Sequence, residues 1–115
     1  MRECKIDYEV EGDLCVVHVN GALDSYSYAT FESALSELDE EEVTKIILDC
    51  SGLEYMSSVA IGALLGFARK ARDKGGKLLI AAMAPKVQHC IELLGCHRVL
   101  EIRDTVDDAR QGFTA

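Results

Sequence analysis

The sequence predicts an α/β domain on a mixed β-sheet, parallel at its centre, with elements in the order β-β-α-β-α-β-α-β-α. Three observations carry this. The runs Ile46-Ile47-Leu48 and Leu78-Leu79-Ile80 read as short strands buried on both faces. Between them, Ala60, Leu64, Phe67 and Ala71 recur at helical spacing. A strand, a helix and a strand in that order make a right-handed crossover between parallel neighbours.

The elements follow in chain order. Cys15 to Asn20 is a β-branched run that ends at Gly21, and Lys5 to Val10 can pair with it through a turn at Glu11-Gly12-Asp13. In Gly21–Ser25, Asp24 or Ser25 can accept hydrogen bonds from the free N–H groups of a following helix. That helix carries Tyr28, Phe31, Leu35 and Leu38 on one stripe, and its acidic tail, Asp39 to Glu42, opposes the helix dipole, so it should stop before Glu42. Val43 to Cys50 is the central strand, and Ser51 to Met56 reads as a loop. A second helix starts at Ser57 or Ser58 and runs to about Asp73; Ile61, Leu65 and Ala68 widen its apolar face, and Arg69, Lys70, Arg72 and Lys74 suit its negative end. Gly75-Gly76 is a turn before the strand Lys77 to Ala82. Pro85 opens a third helix with Val87, Ile91 and Leu94 inward and Gly95 as its stop. Arg98 to Ile102 is a last short strand, and Asp104 caps a final helix with Val106, Ala109 and Phe113 inward.

Composition narrows the function. The 115 residues fit one domain, 1–115. A net charge of −8 argues against nucleic acid or an anionic membrane surface as the main partner. No apolar run approaches the roughly 18 residues of a membrane span, and Met1 to Lys5 opens with no apolar signal segment. A cytoplasmic chain without membrane insertion is expected. The five cysteines are odd in number and form no CxxC, so they read as reduced thiols, mostly small core residues.

The candidate chemistries can be taken in turn. A hydrolytic triad needs a base beside the nucleophile, yet His18 lies mid-strand, His89 mid-helix and His97 beyond a helix stop. His89-Cys90 and Cys96-His97 match no zinc spacing; a core Cys90 with surface histidines is expected. No glycine-rich phosphate loop is present, and no metal or cofactor is implied. Asp49 ends a central strand, as the phosphate-accepting aspartate of receiver domains does, but the preceding strand ends Val19-Asn20-Gly21 without the acidic pair such a site needs. Asp49 therefore reads as structural, capping the loop through Ser51 and Gly52. Ser57-Ser58 remains. Its plain reading is an N-cap that stabilises by about 1 kcal/mol. Its functional reading follows from its position, because in open α/β sheets functional groups collect at the carboxyl ends of strands.

A set of short stretches stands around that serine pair. Gly21-Ala22-Leu23-Asp24 has the form G-x-L-D after a second strand. Ile47 to Met56 is a strand and loop that contains Ser51-Gly52-Leu53, and Gly62-Ala63-Leu64-Leu65 continues the following helix without a gap. Gly75 to Leu78 and Val87 to Gly95 complete the pattern. Over residues 16–102 the chain resembles the STAS domain, specifically the anti-sigma factor antagonists of bacterial partner switching. The resemblance implies a phosphorylatable serine at Ser58, with Ser57 as alternative. It implies a partner surface of Asp24, Ser25, Ser57, Ser58, Val59 and Gly62. The family's aspartate, second hydroxyl residue and glycine are Ser57, Val59 and Ala60 here. The implied function is binding, when unphosphorylated, to an anti-sigma factor that is also a serine kinase, and release on phosphorylation, with a serine phosphatase resetting the switch. On this reading the chain is a kinase's substrate and no enzyme, a monomer or weak dimer. The alternative is an unphosphorylated binding module of the same fold, a scaffold or the partner of a lipid transporter.

Overall fold

A computed structural model describes residues 4–24, 26–96 and 99–113. Strands β1 (Cys4–Glu11), β2 (Leu14–Leu23), β3 (Lys45–Met56), β4 (Lys77–Ala81) and β5 (Glu101–Arg103) form one sheet in sequence order. Among the described residues only the β1–β2 pair is antiparallel. The helices are α1 (Tyr28–Glu40), α2 (Ser58–Asp73), α3 (Pro85–Leu93) and α4 (Val106–Gln111). The expected element order and sheet are therefore those observed.

Alternation along the strands divides the core in two. Val17, Val19, Ile46, Leu48, Cys50, Leu78 and Ile80 pack with Phe31, Leu35, Leu64, Phe67 and Ile91, so α1, α2 and α3 share one face. Val16, Ile47, Leu79 and Ala81 face the other way and meet Ala109, Val106 and Phe113 of the α4 region. One short helix covers only part of that second face. The crossovers are tight. Gly75 has φ +83°, and a Cβ on Gly76 would stand 2.1 Å from the Thr44 carbonyl oxygen, so both turn positions require glycine.

Several boundaries differ from the sequence expectation. β2 continues past Gly21 to Leu23, and residues 51–56 are strand rather than loop. The two extensions pair with each other through two register shifts, and Leu53 and Met56 are buried beneath the exposed Ser51, Glu54 and Tyr55. Asp24 does not cap α1. Its Oδ1 accepts from the N–H groups of Tyr26 (2.9 Å) and Ser27 (3.0 Å), which closes a turn one step earlier. Ser27 is the N-cap and makes no side-chain cap bond; Ser25 lies outside the described residues.

At α3, Leu94 is the exposed C-cap rather than an inward residue, and Gly95 follows with φ +74°. Ala82 falls outside β4, with φ +59°. β5 sits later than expected, because Val99 and Leu100 belong to a turn; Arg98 and His97 lie outside the described residues. Thr105, not Asp104, caps α4, accepting from Asp108 N–H at 3.0 Å. Among the cysteines Cys15 and Cys50 are buried, Cys4 and Cys96 half-buried, and Cys90 exposed. The core placement of Cys90 is thus corrected: it is exposed at the flank of the buried Val87–Ile91 stripe of α3.

Candidate functional site

β3 ends at Met56 beside Leu23, and Ser57 N–H donates to the Leu23 carbonyl at 2.7 Å. That bond fixes where the chain leaves the sheet. Ser57 then takes an extended conformation (φ −75°, ψ 163°), and its Oγ accepts from Ala60 N–H at 3.2 Å. It is an ordinary helix N-cap, half-buried, with its hydroxyl committed. Its carbonyl accepts from Ile61 N–H at 3.0 Å, the first turn of α2.

Ser58 is the first helical residue. It is exposed, and its hydroxyl enters no hydrogen bond among the described residues. Ala60 and Ile61 are buried beneath it, so the exposed face of this turn is Ser58, Val59 and Gly62. A Cβ on Gly62 would meet nothing within 4 Å, so the surface there is open backbone. The structure therefore brings Ser57, Ser58, Val59 and Gly62 together and gives the two serines different states.

Asp24 lies at the same rim, through the Leu23–Met56 pairing, but it is held. Besides the two N–H groups it accepts, Ser27 Oγ donates to Ala22 O and accepts from Asp24 N–H at 3.0 Å. The buried Ser27 thereby ties the turn to the strand end. Sequence reading missed two further residues on this rim. Tyr26 is 79% exposed within the turn, and Tyr55, paired with Ala22, is 41% exposed. The two tyrosines, beside the exposed Val59, give the rim side chains of the type that anchors protein interfaces. The available signal was a tyrosine directly after Asp24-Ser25 and another directly before Met56.

A second polar group lies on the opposite sheet face. His18 Nδ1 stands 2.6 Å from Asp49 Oδ2, and His18 Nε2 stands 3.1 Å from Glu9 Oε2. Asp49 Oδ1 also accepts from Ser51 N–H at 3.0 Å, a structural bond inside β3 rather than the cap of a loop through Ser51 and Gly52 that the sequence suggests, because these residues are strand. Burial works against the charged imidazole, but the bonds to Glu9 and Asp49 outweigh it and raise the His18 pKa. Burial would likewise raise the Asp49 carboxyl, but the Ser51 amide and His18 hold it below the usual range. Burial, with help from Asp49, pushes the Cys50 thiol far up, so it is no nucleophile. Among the described residues no three His, Cys, Asp or Glu side chains are placed to hold a metal, and no helix is long and apolar enough to cross a membrane.

The STAS domain model matches residues 5–109. The chain belongs to the STAS domain family. The anti-sigma F factor antagonist of Paenibacillus polymyxa is 23% identical to this STAS domain over 101 residues, which cover 87% of this chain and 86% of the relative. The anti-sigma-B factor antagonist of Listeria monocytogenes is 22% identical over 84% of each chain. In solved structures, an anti-sigma factor antagonist from Mycobacterium paratuberculosis superposes with a TM-score of 0.87 at 23% identity, over 96% of this chain and 93% of that one. The Bacillus protein SpoIIAA in its unphosphorylated form gives 0.78 at 21%, over 96% and 100%. The murine anion transporter Slc26a9 gives 0.76 at 17%; the match covers 90% of this chain but 18% of the transporter. At these identities the structures establish the shared fold.

Proposed function

We propose that this STAS domain is an anti-sigma factor antagonist, working in the cytoplasm and switched by phosphorylation of Ser58. The observation that carries the reading is the division of labour between the two serines. Ser57 caps α2 through Ala60 N–H, whereas Ser58 offers an exposed, uncommitted hydroxyl on the first turn. The resemblance to antagonists named for sigma F and sigma B supports the role. So does the likeness to SpoIIAA, solved also in its phosphorylated form.

Unphosphorylated, the rim of Tyr26, Tyr55, Val59 and Gly62 docks an anti-sigma factor that is itself a serine kinase, and the sigma factor is freed. The kinase passes the γ-phosphoryl of ATP to Ser58 Oγ, ADP leaves, and a base of the kinase takes the hydroxyl proton. The product carries about −1.5 to −2 charges at a helix N-terminus, where the dipole and the free N–H groups tolerate an anion. The fold should survive. The cost falls on the complex, where a dianion would be desolvated against the kinase. A penalty of roughly 3–4 kcal/mol weakens binding a few hundredfold. A serine phosphatase reverses the step, and the domain itself catalyses nothing.

Ala60 stands where the resemblance has glycine, but its methyl is wholly buried, so the presented surface is unaltered. Val59 does alter it: the side chain is 55% exposed where the family carries a hydroxyl. That one observation favours the second reading, a docking module that is never phosphorylated.

The test is incubation with the anti-sigma factor kinase of the same organism and Mg-ATP, read by mass spectrometry. Phosphate on Ser58, abolished in Ser58→Ala, is expected. Ser58→Asp should bind the kinase much more weakly than Ser58→Ala. Phosphate only at other positions, or equal affinity of the two variants, would favour the module.

A further inference from the structure

At the amino ends of β2 and β3, away from the serine rim, β1 runs out from under α1. Ile6, Tyr8 and Val10 alternate onto the sheet face that α1 covers, since they pair with Val19, Val17 and Cys15 of the core. Ile6 packs against that core. Tyr8 and Val10, further along the strand, are 42% and 75% exposed. Between them and the end of α1 lies a cavity of about 490 Å³ whose apolar floor is Tyr8, Val10, Cys15, Leu38 and Val43. Sites for small organic ligands fall in this size range.

The rim of this cavity is predominantly acidic. Glu37, Glu41, Glu42 and Asp13 line it, against Lys45 alone, and Lys45 Nζ is already bound to Asp13 at 2.6 Å. The last turn of α1 holds no basic residue, so its carbonyl ends add negative potential at the same place. Lys74 bonds the Asp39 carboxylate (2.8 Å) and carbonyl (3.0 Å), and neither residue lines the cavity. Three glutamates thus face an apolar floor, and among the described residues lining the cavity the single cation, Lys45, is held by Asp13. Burial first, then Glu37, Cys15 and Glu41, raise the phenol pKa of Tyr8.

We propose that this cavity is a second binding site, specific for a small organic cation that joins an ammonium or guanidinium group to a hydrocarbon or aromatic body. The body lies on Val10, Leu38 and Val43, with the Tyr8 ring within reach for a cation–π contact. The charged head meets Glu37 and Glu41. Charge complementarity selects this class: a carboxylate or phosphate ligand would be repelled by the rim, and a neutral apolar one would leave the glutamates' field unused.

The probe is phenethylammonium chloride, titrated into the ¹⁵N-labelled protein and followed by amide chemical shifts, with 2-phenylethanol as neutral control. Saturable shifts confined to residues 8–15 and 37–45 are expected, with 2-phenylethanol bound about tenfold or more weakly. The double variant Glu37→Gln/Glu41→Gln, which changes only exposed side chains, should lose about tenfold in affinity and most of the salt dependence. The proposal is overturned if no saturable shifts appear there up to about 20 mM, if the alcohol binds as well as the amine, or if the double variant binds unchanged. None of these outcomes bears on the switch at Ser58.

Discussion

His18 Nδ1 and Asp49 Oδ2 lie 2.6 Å apart on neighbouring parallel strands, and the other ring nitrogen of His18 faces Glu9 Oε2 at 3.1 Å. Neutral imidazole has one donor and one acceptor nitrogen, so it can satisfy only one of these carboxylates. The doubly protonated ring satisfies both. The arrangement is therefore complete only when His18 carries its charge.

The pH dependence follows in sign. The His18 pKa is raised in the folded state, so its contribution is whole below the unfolded value near about 6.5 and is lost as pH rises through the folded value. The Asp49 pKa is lowered, so its contribution is present above about 3.9 and is lost as pH falls through the folded value. Together they give a maximum between pH ~4 and ~6.5. His18→Phe should cost about 1–2 kcal/mol at pH 5.5 and less at pH 8, by urea unfolding. A loss that is equal at both pH values would show that the pair acts through packing alone.

The two serines make the second prediction. Ser57→Ala removes the acceptor for Ala60 N–H and should destabilise the domain by about 1 kcal/mol. Ser58→Ala removes an exposed hydroxyl that bonds nothing among the described residues and should change stability by less than about 0.5 kcal/mol. Parallel denaturation curves check this directly. A larger loss at Ser58 than at Ser57 would reverse the assignment of cap and acceptor.

What the sequence disclosed follows from the range of each signal. Helix stripes and buried strand runs are local, and α2 lies where Ala60, Leu64, Phe67 and Ala71 put it. Leu53 and Met56 were missed as strand because Ser51, Gly52 and Glu54 break the apolar run; only pairing with Asn20–Leu23 makes them regular. Cap residues were displaced by one at Thr105 because two adjacent residues could each serve, and the sequence does not say which turn forms. His18 and Asp49 are 31 positions apart. They could have been matched by sliding Cys15-Val16-Val17-His18 against Ile46-Ile47-Leu48-Asp49, which is the register that forms. Ser58 was legible as a position; its uncommitted hydroxyl was not, because that depends on Ser57 taking the cap.

The last prediction concerns the end of α1. Glu42 N–H donates to Asp39 O at 3.1 Å and Val43 N–H to Leu38 O at 3.0 Å, the paired bonds of a Schellman ending. Its pivot, Glu42, has φ +60°, a conformation that glycine takes freely and that costs an L-residue roughly 1–2 kcal/mol. Glycine also loses more chain entropy on folding, which offsets part of the gain. Removing a carboxylate from the negative end of the helix adds a few tenths of a kcal/mol, at about the lower limit for such dipole contacts. Glu42→Gly should therefore stabilise the domain by about 0.5–1 kcal/mol. Glu42→Gln separates the causes, because it removes the charge and keeps the strained backbone; it should recover only the smaller electrostatic part. Thermal unfolding of both variants at low salt makes the comparison. If Glu42→Gly unfolds at a lower temperature than the parent, the left-handed turn is not where the strain resides.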